Sequence, residues 1–260
     1  MGSDDRHMKA ISRGTLFRMF LRSFFLQGSF SAKYRQNLGF AFCMEPAGKR
    51  LWKNPEDYRR FMIRHSEHYN GNPFMVTLVL GAAAHMEESL KNNEGITEDD
   101  IRRFKKIVGP ATGSTGDRLF WSNLRPFALI AGVICALTYG VWGAVVFLGL
   151  FNVVVWYLKL RWLSAGYRLG PKVVIEVRNK LIDQTERFLE ILGSMLAGFA
   201  APGLMAAVIV SPLEPAVRFG GATVVFLVSI VMLRRNVPLY IAFPGASGAA
   251  LILGLTASVW

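Results

Sequence analysis

Four histidines, two cysteines and one glycine-rich segment are where this 260-residue chain could do chemistry. His65 and His68 stand three apart with Glu67 between them, so one helix face could present both rings to a metal ion. No third ligand follows at a recognised spacing, and solvated histidines are the favoured reading. His85 precedes Glu87 and Glu88, a composition open to a proton relay, although a helix end explains it more simply. His-Glu-x-x-His, Gly-x-Ser-x-Gly and Cys-x-x-Cys are all absent. Cys43 and Cys135 lie far apart, Cys135 inside an apolar run, and read as small buried hydrophobes. The residues define no catalytic centre, no metal cluster and no cofactor site.

The segment from Val108 to Pro126 is the most unusual stretch. It carries Gly109, Gly113, Thr115, Gly116, Asp117, Arg118, Trp121, Asn123 and Arg125 at the entrance to a long apolar run. A phosphate loop would need Gly-Lys-Ser/Thr, and a dinucleotide fingerprint needs a different glycine spacing. Glycines permit close backbone approach, and a carboxylate at a membrane boundary marks a pathway for polar cargo. Asp117 is therefore a candidate to mark a pathway, read as a loop residue. The alternative is a capped helix start with Asp117 paired to Arg118 or Arg125.

The elements that must position these groups follow from composition. The net charge is +12, yet 52% of residues are hydrophobic and only 18% charged. Disordered chains are not this apolar, and nucleic-acid domains are usually basic and polar together. Pro126 to Leu158 is 33 residues without a charge, Ile191 to Leu213 is 23, Phe219 to Leu233 is 15, and Asn236 to Trp260 is 25. About 20 residues span a bilayer. The first run is long for one span and short for two, with Tyr139-Gly140 and Gly143 as break points for a pair of short or re-entrant helices. Pro202, Pro212, Pro215, Pro238 and Pro244 predict further broken helices of the transporter kind.

The N-terminal half differs. Residues up to Arg125 hold 20 of the 30 basic side chains and 13 of the 18 acidic ones. The leader MGSDDRHM reads as foreign to the protein, and no secretory signal follows it. From Leu16 to Phe30, Arg18, Arg22 and Ser29 share a helical face opposite Phe17, Phe20, Leu21, Phe24 and Phe25. That pattern predicts a helix lying in the membrane interface. Asn54-Pro55-Glu56 starts a helix expected to reach His68, Asn72-Pro73 starts another, and Thr97 caps a third with solvated charges at both ends. Basic residues in the N-terminal half and at Lys159, Arg161, Arg168 and Lys172 place both regions on the cytoplasmic side, with anionic lipid rather than nucleic acid as their partner. The fold class is an all-α integral membrane protein. A charged amphipathic, interfacial region covers 1–125, and transmembrane and re-entrant broken helices cover 126–260.

The residues also resemble a known family. Leu21 to Phe30 with Gln27, followed by Gln36-Asn37-Leu38-Gly39-Phe40, is similar to the opening of the IID component of mannose-type phosphotransferase systems (PTS). Arg64-His65 through Asn72-Pro73 resembles its RH…FFN…HP segment, and Gly109-Pro110 through Arg125-Pro126 its GPLAGIGDSLFWGTLRP signature. Gly166-Tyr167-Arg168-Leu169-Gly170 matches GYxxG, and Leu233 to Val237 resembles LLKKKV. The likeness places one IID domain at about 14–260. Ala111-Thr112, Ser114-Thr115 and Arg118 depart from the signature, and Ala201 to Arg218 looks shortened.

The resemblance implies a non-catalytic subunit of the bacterial plasma (inner) membrane that acts with a IIC subunit to carry a hexose-type sugar. Cytoplasmic IIA and IIB proteins would phosphorylate it, without any cofactor on this chain, in trimers of IIC–IID pairs. It implies a translocation role for Asp117, Thr115, Gly113, Gly116, Trp121, Asn123 and Arg125. Arg18, Arg22, Phe24, Phe25, Gln27 and Asn37 would form a partner or membrane interface. The shortened region keeps a second reading open, a non-transporting scaffold or regulatory subunit of a similar complex.

Overall fold

The computed structural model describes residues 11–173 and 187–198. The leader and the apolar runs beyond residue 198, with their prolines, lie outside the described residues. The described part is helical, with two isolated β-bridges at Ser31–Arg35 and Arg35–Tyr69. It falls into two compact units, residues 11–118 with 154–173 and residues 119–153 with 187–198.

In the first unit, α1 (Arg13–Arg22) begins at Ser12, whose Oγ accepts the Thr15 N–H, and runs into a 3-10 turn over Ser23–Phe25. The predicted amphipathic helix is thus shorter than its pattern, and Ser29 is not on it. Thr15, Met19, Phe20, Ser23 and Leu26 face the protein, while Phe17, Leu21, Phe24 and Phe25 are exposed. A second helix, α2 (Asn37–Leu51), contains Pro46. Proline lacks the N–H that would bond the carbonyl four residues back. Arg22 compensates by donating to the Phe42 oxygen at 2.9 Å while pairing with Glu45.

α3 (Pro55–His65) starts as expected, with Asn54 Oδ1 accepting the Glu56 N–H at 2.9 Å. It stops three residues before His68, and Ser66 is its cap. α4 (Val76–Lys91) is the central helix, with 12 of its 16 residues buried, which explains its apolar run. Asn72 does not head this helix. Instead its Oδ1 accepts the Phe74 and Met75 N–H groups just before it. α5 (Glu98–Gly116) opens with a capping box in which Thr97 and Asp100 exchange side-chain and backbone hydrogen bonds.

The segment read as a glycine-rich loop is helical. α5 continues through Pro110 to Gly116, and Asp117–Leu124 follow as two π-type turns. Glycine spacing does not separate a loop from a close-packed helix, and here Gly109 and Gly116 serve close packing. π-turns are rare and are enriched at functional sites.

The second unit contains α6 (Arg125–Tyr139) and the start of α7 (Trp142–Leu169). Gly140, at φ +57°, forms the turn between them, at the break point the sequence suggests. The pair is not two short helices: α7 runs 28 residues, past Leu158, Lys159 and Arg161. At 1.5 Å per residue it is roughly 42 Å long. Among the described residues, two helical runs are long and apolar enough to cross a membrane, Glu98–Tyr139 and Trp142–Lys172, with 33% and 17% of their most apolar windows buried.

Within the first unit, α4 and α7 meet through glycines. A Cβ on Gly81 would lie 2.2 Å from the Leu163 oxygen, and one on Gly166 would lie 2.1 Å from the Leu78 oxygen. The backbones touch, the small-residue contact by which membrane helices associate.

Candidate functional site

Two polar constellations stand out in the first unit, one buried and one exposed. The buried one centres on Glu87 of α4. Arg64 grips its carboxylate bidentately, Nε to Oε1 and Nη2 to Oε2, both at 2.7 Å. His65 Nε2 lies 2.9 Å from Oε1, and Trp52 Nε1 donates to Oε2 at 3.1 Å. Arg64, His65 and Glu87 are each at most 1% exposed. Around them, Arg64 Nη1 is 2.9 Å from Glu98 Oε2, and Lys105 Nζ donates to the Arg64 carbonyl at 2.8 Å.

Burial works to raise the Glu87 carboxyl, but the His65 hydrogen bond and the Arg64 guanidinium outweigh it and hold it down at about 2. His65 goes the other way to most paired histidines. Burial between Phe40 and Phe61 pushes its pKa down to about 4, against the pull of Glu87. At neutral pH the imidazole is therefore uncharged and donates its Nε2 hydrogen, and Arg64 carries the countercharge. Each Glu87 oxygen already accepts two hydrogen bonds, about its full capacity. Glu87 has no vacancy for a proton in transit, so this constellation holds α3 to α4 rather than relaying protons.

This corrects several expectations. His65 is buried rather than solvated, whereas His68 is exposed. Glu87 is an internal anchor, not an acidic helix end. His85 does not join it: its Nδ1 lies 2.9 Å from the Tyr167 oxygen, and its ring packs on Gly170. Lys105, expected at a solvated helix end, is also buried. Among the described residues no group of three or more His, Cys, Asp or Glu is placed to hold a metal ion. Burial pushes the Cys43 thiol up to about 12, so it stays protonated.

The exposed constellation joins Asp117 to the loop before α4. Asp117 Oδ1 accepts from Asn72 Nδ2 at 2.9 Å, so its polar partner is Asn72, not Arg125. Asn72 is 2% exposed and uses its own Oδ1 to shape the chain entering α4. Gly116 makes this possible: a Cβ there would lie 2.3 Å from Asn72 Cγ. Thr115 is buried, Gly113 faces open space, and Asp117 is exposed. These four belong to the first unit. Trp121, Asn123 and Arg125 belong to the second, where the Arg125 guanidinium lies 5.1 Å from the Trp121 ring centroid and Asn123 is buried.

On the expected interface, Arg18, Phe24, Phe25 and Gln27 are exposed, while Arg22 is occupied by Glu45 and Phe42. Asn37 is turned inward and donates to the Ser66 oxygen at 2.8 Å. Lys159, expected among cytoplasmic flanking charges, is buried and donates to the Ser23 and Pro73 oxygens at 3.3 and 3.2 Å. Its ammonium also sits 4.6 Å from the Phe24 ring centroid. The Arg64–Glu87, Lys105 and Lys159 contacts escaped the sequence reading. A lone charge flanking an apolar run, as at Glu87 and Lys159, was the available signal.

The described residues are helical and include two membrane-length runs, the build of a helical membrane protein. The family model of the PTS mannose/fructose/sorbose IID component matches residues 10–224, and the chain belongs to that family. Among its relatives, a sorbose-specific EIID component of Klebsiella pneumoniae is 34% identical over 73% of this chain and 69% of its own length. The fructose permease IID component of Bacillus subtilis is 31% identical over the same shares. A solved membrane protein structure matches 74% of this chain and 70% of its own with a TM-score of 0.67 at 28% identity. A chain in the cryo-EM structure of the mannose transporter ManYZ with microcin E492 matches 95% and 96% with a TM-score of 0.59. At 22% identity, that match speaks to fold alone.

Proposed function

We propose that this chain works with a IIC membrane subunit to translocate a hexose-type sugar, which cytoplasmic IIA and IIB proteins phosphorylate during uptake. The observation that carries this reading is unsatisfied apolar surface in a chain of the IID family. Of the two membrane-length runs, only 33% and 17% of the apolar windows are buried by the chain itself. Lipid and a second membrane subunit are the surroundings that would cover the remainder. Basic flanks, including Arg161, Arg168 and Lys172, support a cytoplasmic N-terminal half. Trimers of IIC–IID pairs and a membrane or partner role for Arg18, Phe24, Phe25 and Gln27 belong to the same reading.

Asp117 is the residue we assign to the translocation path, with Thr115, Gly113 and Gly116 shaping its backbone, Trp121 and Asn123 following on the π-turns and Arg125 opening α6. Asn72 orients Asp117 while leaving it exposed, which suits a carboxylate that meets a sugar hydroxyl. The test is sugar uptake by cells carrying Asp117→Ala at matched membrane levels, with co-purification of the IIC subunit. Uptake should fall at least tenfold with IIC still bound. Normal uptake would remove Asp117 from the path. A chain that purifies alone, with uptake persisting in its absence, would favour a scaffold.

A further inference from the structure

The α1 and α7 helices enclose a space that none of the above uses. They run antiparallel: Phe24 packs edge-on to Trp156 and Lys159 reaches Ser23 at one end, while Ile11 and Arg13 face Tyr167 and Arg168 at the other. Between them lies a cavity lined by Ile11, Arg13, Leu16 and Phe17 from one side and by Leu160, Leu163, Ser164, Tyr167 and Arg168 from the other. Its volume is about 560 Å³, within the range of small-molecule sites.

The lining is graded along the helix axes. Arg13 and Arg168 occupy one end, and Leu160, Leu163, Leu16 and Phe17 line the way to the other. From Arg168 back to Leu160 is eight residues of helix, roughly 12 Å. Neither arginine has an acidic partner among the described residues, in contrast to Arg22, Arg60, Arg64 and Arg102, which are all paired. The apolar end opens outward, with Phe17 52% and Leu160 43% exposed. Two unpaired guanidinium groups at the head of an apolar trough on a membrane-length helix match an amphiphile with an anionic head.

We propose that this cavity binds one anionic phospholipid, its phosphate between Arg13 and Arg168 and its acyl chains along Leu16, Phe17, Leu160 and Leu163. Ser164 adds a hydroxyl beside the head. A guanidinium presents several donors in a fixed fork that fits phosphate oxygens. Basic pockets beside membrane helices on the cytoplasmic side recognise anionic lipid headgroups by this chemistry. The lipid would join the exposed face of α1 to the long helix α7. The inference rests on the chain being a membrane subunit.

The test uses the full chain with whatever subunit co-purifies, reconstituted in nanodiscs of phosphatidylcholine with one-tenth phosphatidylglycerol and released into native mass spectrometry. Wild-type protein should retain one phosphatidylglycerol that Arg13→Gln/Arg168→Gln loses, with occupancy reduced roughly tenfold or more. A Lys53→Gln/Arg59→Gln control removes two charges elsewhere and should retain it. Equal retention by wild type and the cavity variant overturns the proposal, as does equal loss in the control, which would reduce the effect to bulk charge. Equal protection by glycerol phosphate without acyl chains would make the site one for a free anion. Loss of the co-purifying subunit with lipid unchanged would make it a protein contact. A chain absent from the membrane fraction would instead break the membrane reading beneath the proposal.

Discussion

Helices α4 and α6 are close in composition and opposite in circumstance. In α4, 12 of 16 residues are buried; in α6, only Ala128 and Gly132 of 15 are. Both present long uncharged stretches of Ala, Leu, Val and Gly, so hydropathy alone does not separate a helix inside a protein from one facing a membrane. Their ends do. α4 carries Glu87, which only a built-in partner such as Arg64 can make tolerable at that depth, whereas α6 carries no charge after Arg125. A buried charge with its counterion marks a protein interior, and an exposed apolar face marks a surface meant for lipid or another subunit.

The largest effect should come from breaking the α4 side of this contrast. Glu87→Leu leaves Arg64 without its bidentate partner, and removing one member of a buried pair costs about 3–5 kcal/mol. Thermal unfolding of the purified protein should show a large loss of stability, while Glu56→Ala, on an exposed carboxylate, should change it by less than about 1 kcal/mol. Comparable shifts for the two would mean that the buried pair contributes no more than a surface one.

On the α6 side, Leu129 is 50% exposed. Leu129→Lys should leave packing intact, yet membrane insertion should weaken by about 3 kcal/mol if this face meets hydrocarbon. The fraction of chain recovered in carbonate-washed membranes reads this directly. Undiminished recovery would mean that the face meets water or a polar partner.

The smallest effect is a pH slope. The folded pKa of His65, about 4, lies below the ordinary 6.5, so the unfolded chain binds that proton more readily between the two values. Stability from this group is complete above pH 6.5 and is lost as pH falls towards 4. Glu87, held at about 2 against an ordinary 4.5, adds a loss of the same sign below pH 4.5. Melting temperature should therefore drop between pH 7 and pH 5, and His65→Gln should flatten that interval alone. Identical slopes in variant and wild type would assign the acid sensitivity elsewhere.

The turn at Gly140, the caps at Asn54 and Thr97 and the apolar run entering α7 were legible because each depends on residues within a few positions. The motif Gly166-Tyr167-…-Gly170 could be recognised as a string but not explained. Its reason lies in α4, where Leu78 meets Gly166, Glu88 accepts the Tyr167 hydroxyl, and His85 packs on Gly170. The helical course of Gly109 to Gly116 was hidden similarly, because glycine is as suited to tight contact with Asn70 and Asn72 as to a loop.

By itself, the sequence determined the chemistry on hand: an apolar, basic, helix-rich chain with a carboxylate shortly before a long uncharged run. These are properties of composition and of spacing over one or two turns. Only the tertiary structure decided which charges are neutralised and which stay free. Arg64 meets Glu87 across 23 residues, Asn72 meets Asp117 across 45, and Lys159 meets Ser23 across 136. A polar side chain's role is set by what compensates it after water has been removed, and that partner comes from another part of the chain.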